Sequence, residues 1–293
     1  MRLHLVDGTY ELFRAHFSPR PGHLDPRGKD RKATTGLVSS LLALLGDSRE
    51  KVTHLAVAFD NPIRSFRNDL FDGYKTEEGV PAELLEQFGP AEEATAACGI
   101  VVWSMRDFEA DDALATGAAR FAKAVEQVRI LTPDKDLGQC IRGTEVVQVD
   151  RMRGKEFDEK AVTALRGVPP PLIPDWLALV GDDADGIPGL PGFGEKGAAA
   201  VLRAFGPLEA IPVDATRWPK DLRGRERLAA VFSQQKKDAL LYRTLATLRL
   251  DAPIGNSLEA LKHHGVPRER FLAWCDSVGA RTLKERAPSW GRP

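Results

Sequence analysis

HLAVAFD, residues 54–60, is an apolar run that ends in a carboxylate, and RLHLVD (2–7) repeats the pattern. VRILTPDKD (128–136) is a third apolar run followed by acids. Between them lie the helical patterns TGLVSSLLALLG (35–46) and DALATGAARFAKAVEQ (112–127), with further strands expected at GIVVW (99–103) and EVVQV (145–149). Strands that alternate with helices predict an α/β unit with a mainly parallel sheet, in which ligands bind beyond the carboxyl ends of the strands. The acid-tipped strands would then converge on one edge.

After about residue 168 the strand signals stop. VPPPLIPD is a Pro-rich joint, and IPDWLALVG, EKGAAAVLRAFG, RLAAVFSQQKKDALLYRTLATL and PRERFLAWCDSVG all read as helices. The expected division is therefore an α/β domain over 1–168 and a helical region over 169–293. RPGHLDPRGKDRK (20–32) reads as a mobile Gly/Pro/basic loop. FRNDLFDGYKTEEGVPAELLEQFGP (66–90) is polar, aromatic and poorly periodic, as a loop or arch over an active site would be; an ordinary solvated connection fits it as well.

The chain has 293 residues and is 43% apolar, enough for a sizeable core in one large or two moderate domains. Cys98, Cys140 and Cys275 are widely spaced and form no CxxC pair. Neither a disulfide framework nor a zinc cluster is indicated, and a reducing cytoplasm fits. No stretch approaches the length of a membrane span. The formal charge of −1 argues at first against a polyanionic partner. If nine of the carboxylates gather at a metal site, 41 Lys and Arg stand against 33 Asp and Glu elsewhere, an excess of eight positive charges that suits a polyanion; otherwise the balance suits a binder of small molecules.

Those nine are Asp7 and Asp60 at strand ends, Glu109, Asp111 and Asp112 in FEADDALATG (108–117), Asp134 and Asp136 in TPDKD, and Asp182 and Asp185 in GDDADG. One or two acids at the start of the helix near residue 111 are explained by capping and by the helix dipole. Any single one of the nine also reads as a cap, a turn or a surface charge. As a set they repel one another unless cations sit among them. Oxygen-only donors select hard ions, Mg²⁺ or Mn²⁺. Two such ions roughly 3.5–4 Å apart would activate a water, clamp a phosphodiester and stabilise the leaving oxygen.

LVDGTYELFRAH, VAFDNPIRSFRNDLFDGYK, FEADDALAT, ILTPDKDL and ALVGDDADGIPGLPGFGEKGAAAVL occur in this order across essentially the whole chain. In order and spacing the chain resembles the 5′-nuclease domain of bacterial DNA polymerase I and the related phage and eukaryotic flap endonucleases, as a stand-alone member. The resemblance implies a PIN-like (resolvase-like) fold followed by a helix-hairpin-helix region at about 187–206. It implies that Asp7, Asp60, Glu109, Asp111 and Asp112 hold a first metal, with Asp134, Asp136, Asp182 and Asp185 supplying the rest directly or through water. Asp7, Asp112 and Lys75 become the catalytic candidates.

By the same resemblance Lys75 reaches the scissile phosphate, where a cation offsets developing charge. Tyr74 matches an aromatic able to stack on a base, and Arg67 in the same stretch is counted among the DNA contacts. The chain departs from the family where Thr76, Glu77, Glu78 and Gly79 follow Lys75, in place of a further basic residue. GFGEKG (192–197) matches the dinucleotide pattern GxGxxG but follows a Pro-Gly loop instead of a strand, so that reading lacks its context. A Gly-rich hairpin with Gly192, Gly194 and Lys196 suits contacts to a DNA phosphate, and in the family such an element takes a monovalent cation such as K⁺.

The expected activity is divalent-metal-dependent 5′-to-3′ exonuclease and 5′-flap endonuclease cleavage of DNA in replication and repair, including removal of RNA primers. The partner is DNA with a 5′ single-stranded flap or end, or an RNA–DNA hybrid. A cytoplasmic monomer working beside a polymerase and a ligase is expected. Three other readings compete. A PIN-type ribonuclease shares the acidic α/β site but leaves the helical half unused. A haloacid-dehalogenase-type phosphatase needs Asp-x-Asp, whereas the residues two positions either side of Asp7 are Leu5 and Thr9. A catalytically inactive junction-binding protein would not need the full acidic set.

Overall fold

The computed structural model describes residues 1–291. It begins with β1 (Arg2–Asp7), α1 (Gly8–Phe17), α2 (Lys32–Gly46), β2 (His54–Asp60) and the single-turn helices α3 (Arg67–Leu70) and α4 (Ala82–Leu85). There follow α5 (Phe88–Ala97), β3 (Val101–Met105), α6 (Ala110–Phe121), β4 (Gln127–Leu131), β5 (Val146–Asp150) and β6 (Lys155–Phe157). The remainder is helical: α7 (Glu159–Arg166), α8 (Ile173–Val180), α9 (Glu195–Phe205), α10 (Arg225–Gln234), α11 (Lys236–Ala246) and α12 (Arg268–Val278). Among the described residues no helix is long and apolar enough to cross a membrane.

By contacts the chain divides into two compact units, one of Met1–Arg64, Glu77–Thr132 and Leu250–Pro293, the other of Ser65–Thr76 and Pro133–Arg249. In the first unit the strands run in the order β3-β2-β1-β4, each neighbouring pair parallel. Every residue of β2 is buried, as are all but the first of β1. The acid-tipped apolar runs are therefore central strands covered on both faces, which is why they are apolar without alternation. Asp7 caps α1 by accepting from the Tyr10 amide at 2.8 Å, so the end of β1 and the start of α1 share one residue. The basic loop 20–32 is drawn in by Asp25, whose carboxylate accepts from the amides of Arg27 (2.9 Å) and Lys29 (3.0 Å).

In the second unit β5 and β6 form an antiparallel hairpin. The core of this unit lies among the helices, where Trp218 meets Phe193, Phe205 and Phe232 at ring distances of 6.3–6.5 Å. Helix α8 ends at Gly181, and the Leu190 amide returns to the Leu179 carbonyl at 2.8 Å. Gly189 makes that return possible: its φ is +66°, and a Cβ there would lie 2.4 Å from the Gly181 nitrogen. Trp176 Nε1 then donates to the Glu195 carbonyl at 3.2 Å, holding the start of α9 against α8.

Residues 227–248, which read as one helix, are two. Gln235 leaves helical geometry (φ −111°, ψ 23°) between α10 and α11. The segment 66–90 contains α3, α4 and the start of α5, more helix than a poorly periodic stretch announces.

Candidate active site

The first unit places five of the acids. Asp60 ends β2; its amide donates to Thr9 Oγ1 at 2.9 Å, and its Oδ1 accepts from the Ala110 amide at 2.7 Å. The end of β2 is thereby tied to the starts of both α1 and α6. Asp7 Oδ2 accepts from Thr132 Oγ1 at 2.9 Å, tying β1 to the residue that follows β4. At the head of α6, Asp112 Oδ2 accepts from the Glu109 amide at 3.0 Å. Asp7, Asp60, Glu109 and Asp112 are buried, and Asp111 is half-buried. Glu109 and Asp112 form a reciprocal capping box at the start of α6, each side chain accepting from the other's amide, so capping accounts for these two and not for Asp111.

The second unit brings three acids together. One carboxylate oxygen each from Asp136, Asp182 and Asp185 lies within 4.8 Å of the others. The loop carrying Asp182 and Asp185 is closed by paired hydrogen bonds between Asp182 and Ile187, at 2.7 and 2.8 Å. Gly186 lies against Gly73, where a Cβ would fall 2.1 Å from the Gly73 carbonyl oxygen. Asp134 accepts from the Asp136 amide at 2.9 Å, and its own carbonyl accepts from Gln148 Nε2. Gln139 Nε2 holds the Asp136 carbonyl at 2.9 Å.

Burial pushes the Asp136 carboxyl well above the usual carboxylate range, and the neighbouring Asp134, Asp185 and Asp182 push it further. Asp134 is raised too, mainly by burial. Asp136 Oδ1 is buried with no hydrogen-bond partner. An orphaned, buried acceptor among converging carboxylates is what a hard divalent cation satisfies, so the residues present fit such an ion.

Two lysines reach this cluster. Lys75 Nζ lies 2.9 Å from Asp185 Oδ1, and Lys135 Nζ lies 3.0 Å from Asp182 Oδ2. Sequence reasoning singled out Lys75 and passed over Lys135. The signal was present in TPDKD, where a cation stands between two of the chosen acids.

Two of the expected DNA contacts are placed otherwise. Arg67 is only 1% exposed, and its guanidinium donates to the carbonyls of Leu245 (2.7 Å) and Thr247 (3.1 Å). It braces the end of α11 and presents no open face to a phosphate. Tyr74 is 3% exposed and belongs to the apolar core of the second unit, so its ring is not available to stack on a base. Gly192, Gly194 and Lys196 are exposed on the hairpin and the first turn of α9. The Arg227 guanidinium lies over Gly192, where a Cβ would sit 2.6 Å from it, and adds a cation that the hairpin motif did not reveal.

The acid-tipped parallel sheet and the carboxylate triad define a nuclease-like α/β fold joined to a helical region. Residues 2–167 match the family model of the 5′-3′ exonuclease N-terminal resolvase-like domain, and 168–269 that of the 5′-3′ exonuclease C-terminal SAM fold. A 5′-3′ exonuclease of Buchnera aphidicola subsp. Baizongia pistaciae is 32% identical over 88% of this chain and 85% of its own. A DNA polymerase I of Bacillus caldotenax is 32% identical over 98% of this chain, which spans 32% of that relative's length. A structure of the T5 5′-exonuclease with zinc bound is superposed with a TM-score of 0.65, covering 96% of this chain and 99% of the other at 18% identity, a likeness of fold. The chain belongs to the 5′-3′ exonuclease family.

Proposed function

We propose that the protein is a divalent-metal-dependent 5′-to-3′ exonuclease and structure-specific 5′-flap endonuclease, acting on DNA in replication and repair and removing flaps or RNA primers. The observation that carries the reading is the unpartnered, buried Asp136 Oδ1 beside Asp182 and Asp185 in a chain of this family. Asp136, Asp182 and Asp185, with Asp134 behind them, hold one divalent ion. Asp7, Asp60, Glu109, Asp111 and Asp112 hold another. Mg²⁺ is the ion, with Mn²⁺ a substitute, since all donors are oxygens. When bound, such ions supply Lewis acidity and lower the pKa of a water, as phosphodiester hydrolysis at neutral pH requires.

The chain's own residues do the rest. Lys75 exchanges its carboxylate partner Asp185 for the scissile phosphate and offsets charge there. Residues 1–168, with Asp182 and Asp185, carry the chemistry, and the rest of 169–293 holds the duplex. Lys196, the hairpin amides at Gly192 and Gly194, and Arg227 grip the phosphate backbone, with K⁺ at the hairpin. The protein works as a cytoplasmic monomer, beside a polymerase and a ligase, on DNA with a 5′ single-stranded flap or end and on RNA–DNA hybrids.

The test is cleavage in Mg²⁺ of a labelled 5′-flap duplex, a matched blunt duplex and a single-stranded RNA. Incision near the flap junction, leaving 5′-phosphate and 3′-hydroxyl ends, is expected. Degradation of the RNA with the flap intact would replace the proposal with a PIN-type ribonuclease.

A further inference from the structure

A cavity of about 230 Å³ opens within the second unit between the β5–β6 hairpin, the TPDKD loop and α7. Lys135, Arg153, Lys155 and Arg166 line it, against the single carboxylate Asp150. Asp150 is already engaged, with one oxygen 3.0 Å from Arg153 and the other accepting the amides of Met152 and Arg153 at 3.0 Å. Neither Lys155 nor Arg166 forms an ion pair among the described residues. The Arg166 guanidinium lies 5.5 Å over the Trp176 ring, which orients it without neutralising it.

Part of the cavity lining is apolar. Phe157, Val162 and Leu165 form it. Phe157 packs on the core of the unit, while Leu165 is 57% exposed, a large apolar group left at the rim. Unpaired cations together with aromatic and aliphatic side chains in one cavity match a ligand with an anionic end and a flat, weakly polar body. The cavity is smaller than the roughly 300–1,000 Å³ of drug-sized sites, so it holds one such unit and not a length of duplex.

We infer that this cavity binds a single 5′-phosphorylated nucleotide, its phosphate held by Lys155 and Arg166 and its base laid along Phe157 and Leu165. The nucleotide is either free or the terminal residue of a strand. Lys135 lines the cavity and also pairs with Asp182, so a phosphate bound here shares a cation with the carboxylate triad. The inference rests on the second unit alone and does not depend on the nuclease reading.

The experiment uses the full chain in EDTA, so that no divalent ion can bridge a phosphate to the acids. Binding of dAMP, of deoxyadenosine and of a 5′-phosphorylated tetranucleotide is followed by calorimetry for wild type, Lys155→Glu and Lys155→Arg. Saturable binding of dAMP that needs the phosphate is expected, about tenfold or more weaker in Lys155→Glu, the loss of one charge-assisted hydrogen bond, and retained in Lys155→Arg. That pattern with dAMP supports a free nucleotide as the ligand. The same pattern with the tetranucleotide alone supports a strand end. Binding unchanged in Lys155→Glu, or no saturation by either ligand, overturns the inference.

Discussion

Lys75 is joined to Asp185 twice: its amide donates to the Asp185 carbonyl at 3.0 Å, and its Nζ lies 2.9 Å from the Asp185 carboxylate. The backbone contact positions the lysine whatever its side chain does, and the ion pair leaves the ammonium exchangeable. Asn68 Nδ2 adds a hydrogen bond to the Lys75 carbonyl at 2.9 Å. Lys75→Ala should therefore lower kcat on a 5′-flap duplex by about 100-fold, on the scale of removing one preorganised charge-stabilising donor, while leaving fold and KM nearly unchanged. A matching rise in KM would show that Lys75 serves binding instead.

Asp136 and Asp134 have raised folded pKa values, so their ionisation works against the fold. The sign follows: the penalty is absent below the unfolded carboxylate pKa and grows as pH rises through the elevated folded values. In EDTA the contribution of this pair to thermal stability should fall on going from acid to neutral pH. Asp136→Asn should melt higher than wild type at neutral pH in EDTA and should gain less from added Mg²⁺. Melting curves that coincide for the two proteins in both conditions would contradict this.

Arg67 is predicted to matter for stability and not for DNA. Its removal leaves the carbonyls of Leu245 and Thr247 without their donor, at a cost of about 3 kcal/mol. Lysine lacks the forked geometry that serves two carbonyls and should not restore it. Urea unfolding of Arg67→Ala and Arg67→Lys measures the loss, and DNA affinity of the folded fraction should match wild type.

Glu50 accepts from Arg129 Nε at 2.8 Å and pairs with His4 at 3.0 Å. The hydrogen bond to His4, with Arg129 assisting, holds the Glu50 carboxyl down at about 2. Its stabilisation is present above the unfolded pKa near 4.5 and is lost as pH falls toward 2. Glu50→Gln should lower stability at neutral pH by about 1–3 kcal/mol and flatten the acid limb of the unfolding profile. An unaltered acid limb would place that limb elsewhere.

The parts of this molecule that were legible in the sequence are those decided by near neighbours. Apolar runs tipped by Asp7 and Asp60 became β1 and β2, and TGLVSSLLALLG fell inside α2. The order of strands and helices sufficed for the mainly parallel sheet and the helical region after it. What escaped was set by distant partners. Arg67 looks like a basic residue in a DNA-facing stretch until Leu245 and Thr247 arrive beside it. Tyr74 reads as a stacking residue because nothing local predicts its place in the core of the second unit. The break at Gln235 has no Pro or Gly to mark it, and β6 is three residues long. Lys135 stands between two acids in TPDKD, but its partner Asp182 is distant in the chain.

The account stands most directly on metal-dependent incision of a labelled 5′-flap duplex, followed as Mg²⁺ is raised, for wild type and Asp112→Ala beside an EDTA control. Asp112→Ala should lose only about 1 kcal/mol of stability with its capping contact, so a folded variant is available to assay. The account predicts saturable incision near the junction by wild type, none in EDTA, and a loss of about 100-fold or more in Asp112→Ala, since even partners one shell outside a metal cost about 10- to 100-fold. Incision that persists in EDTA, or at the wild-type rate in Asp112→Ala, would contradict it.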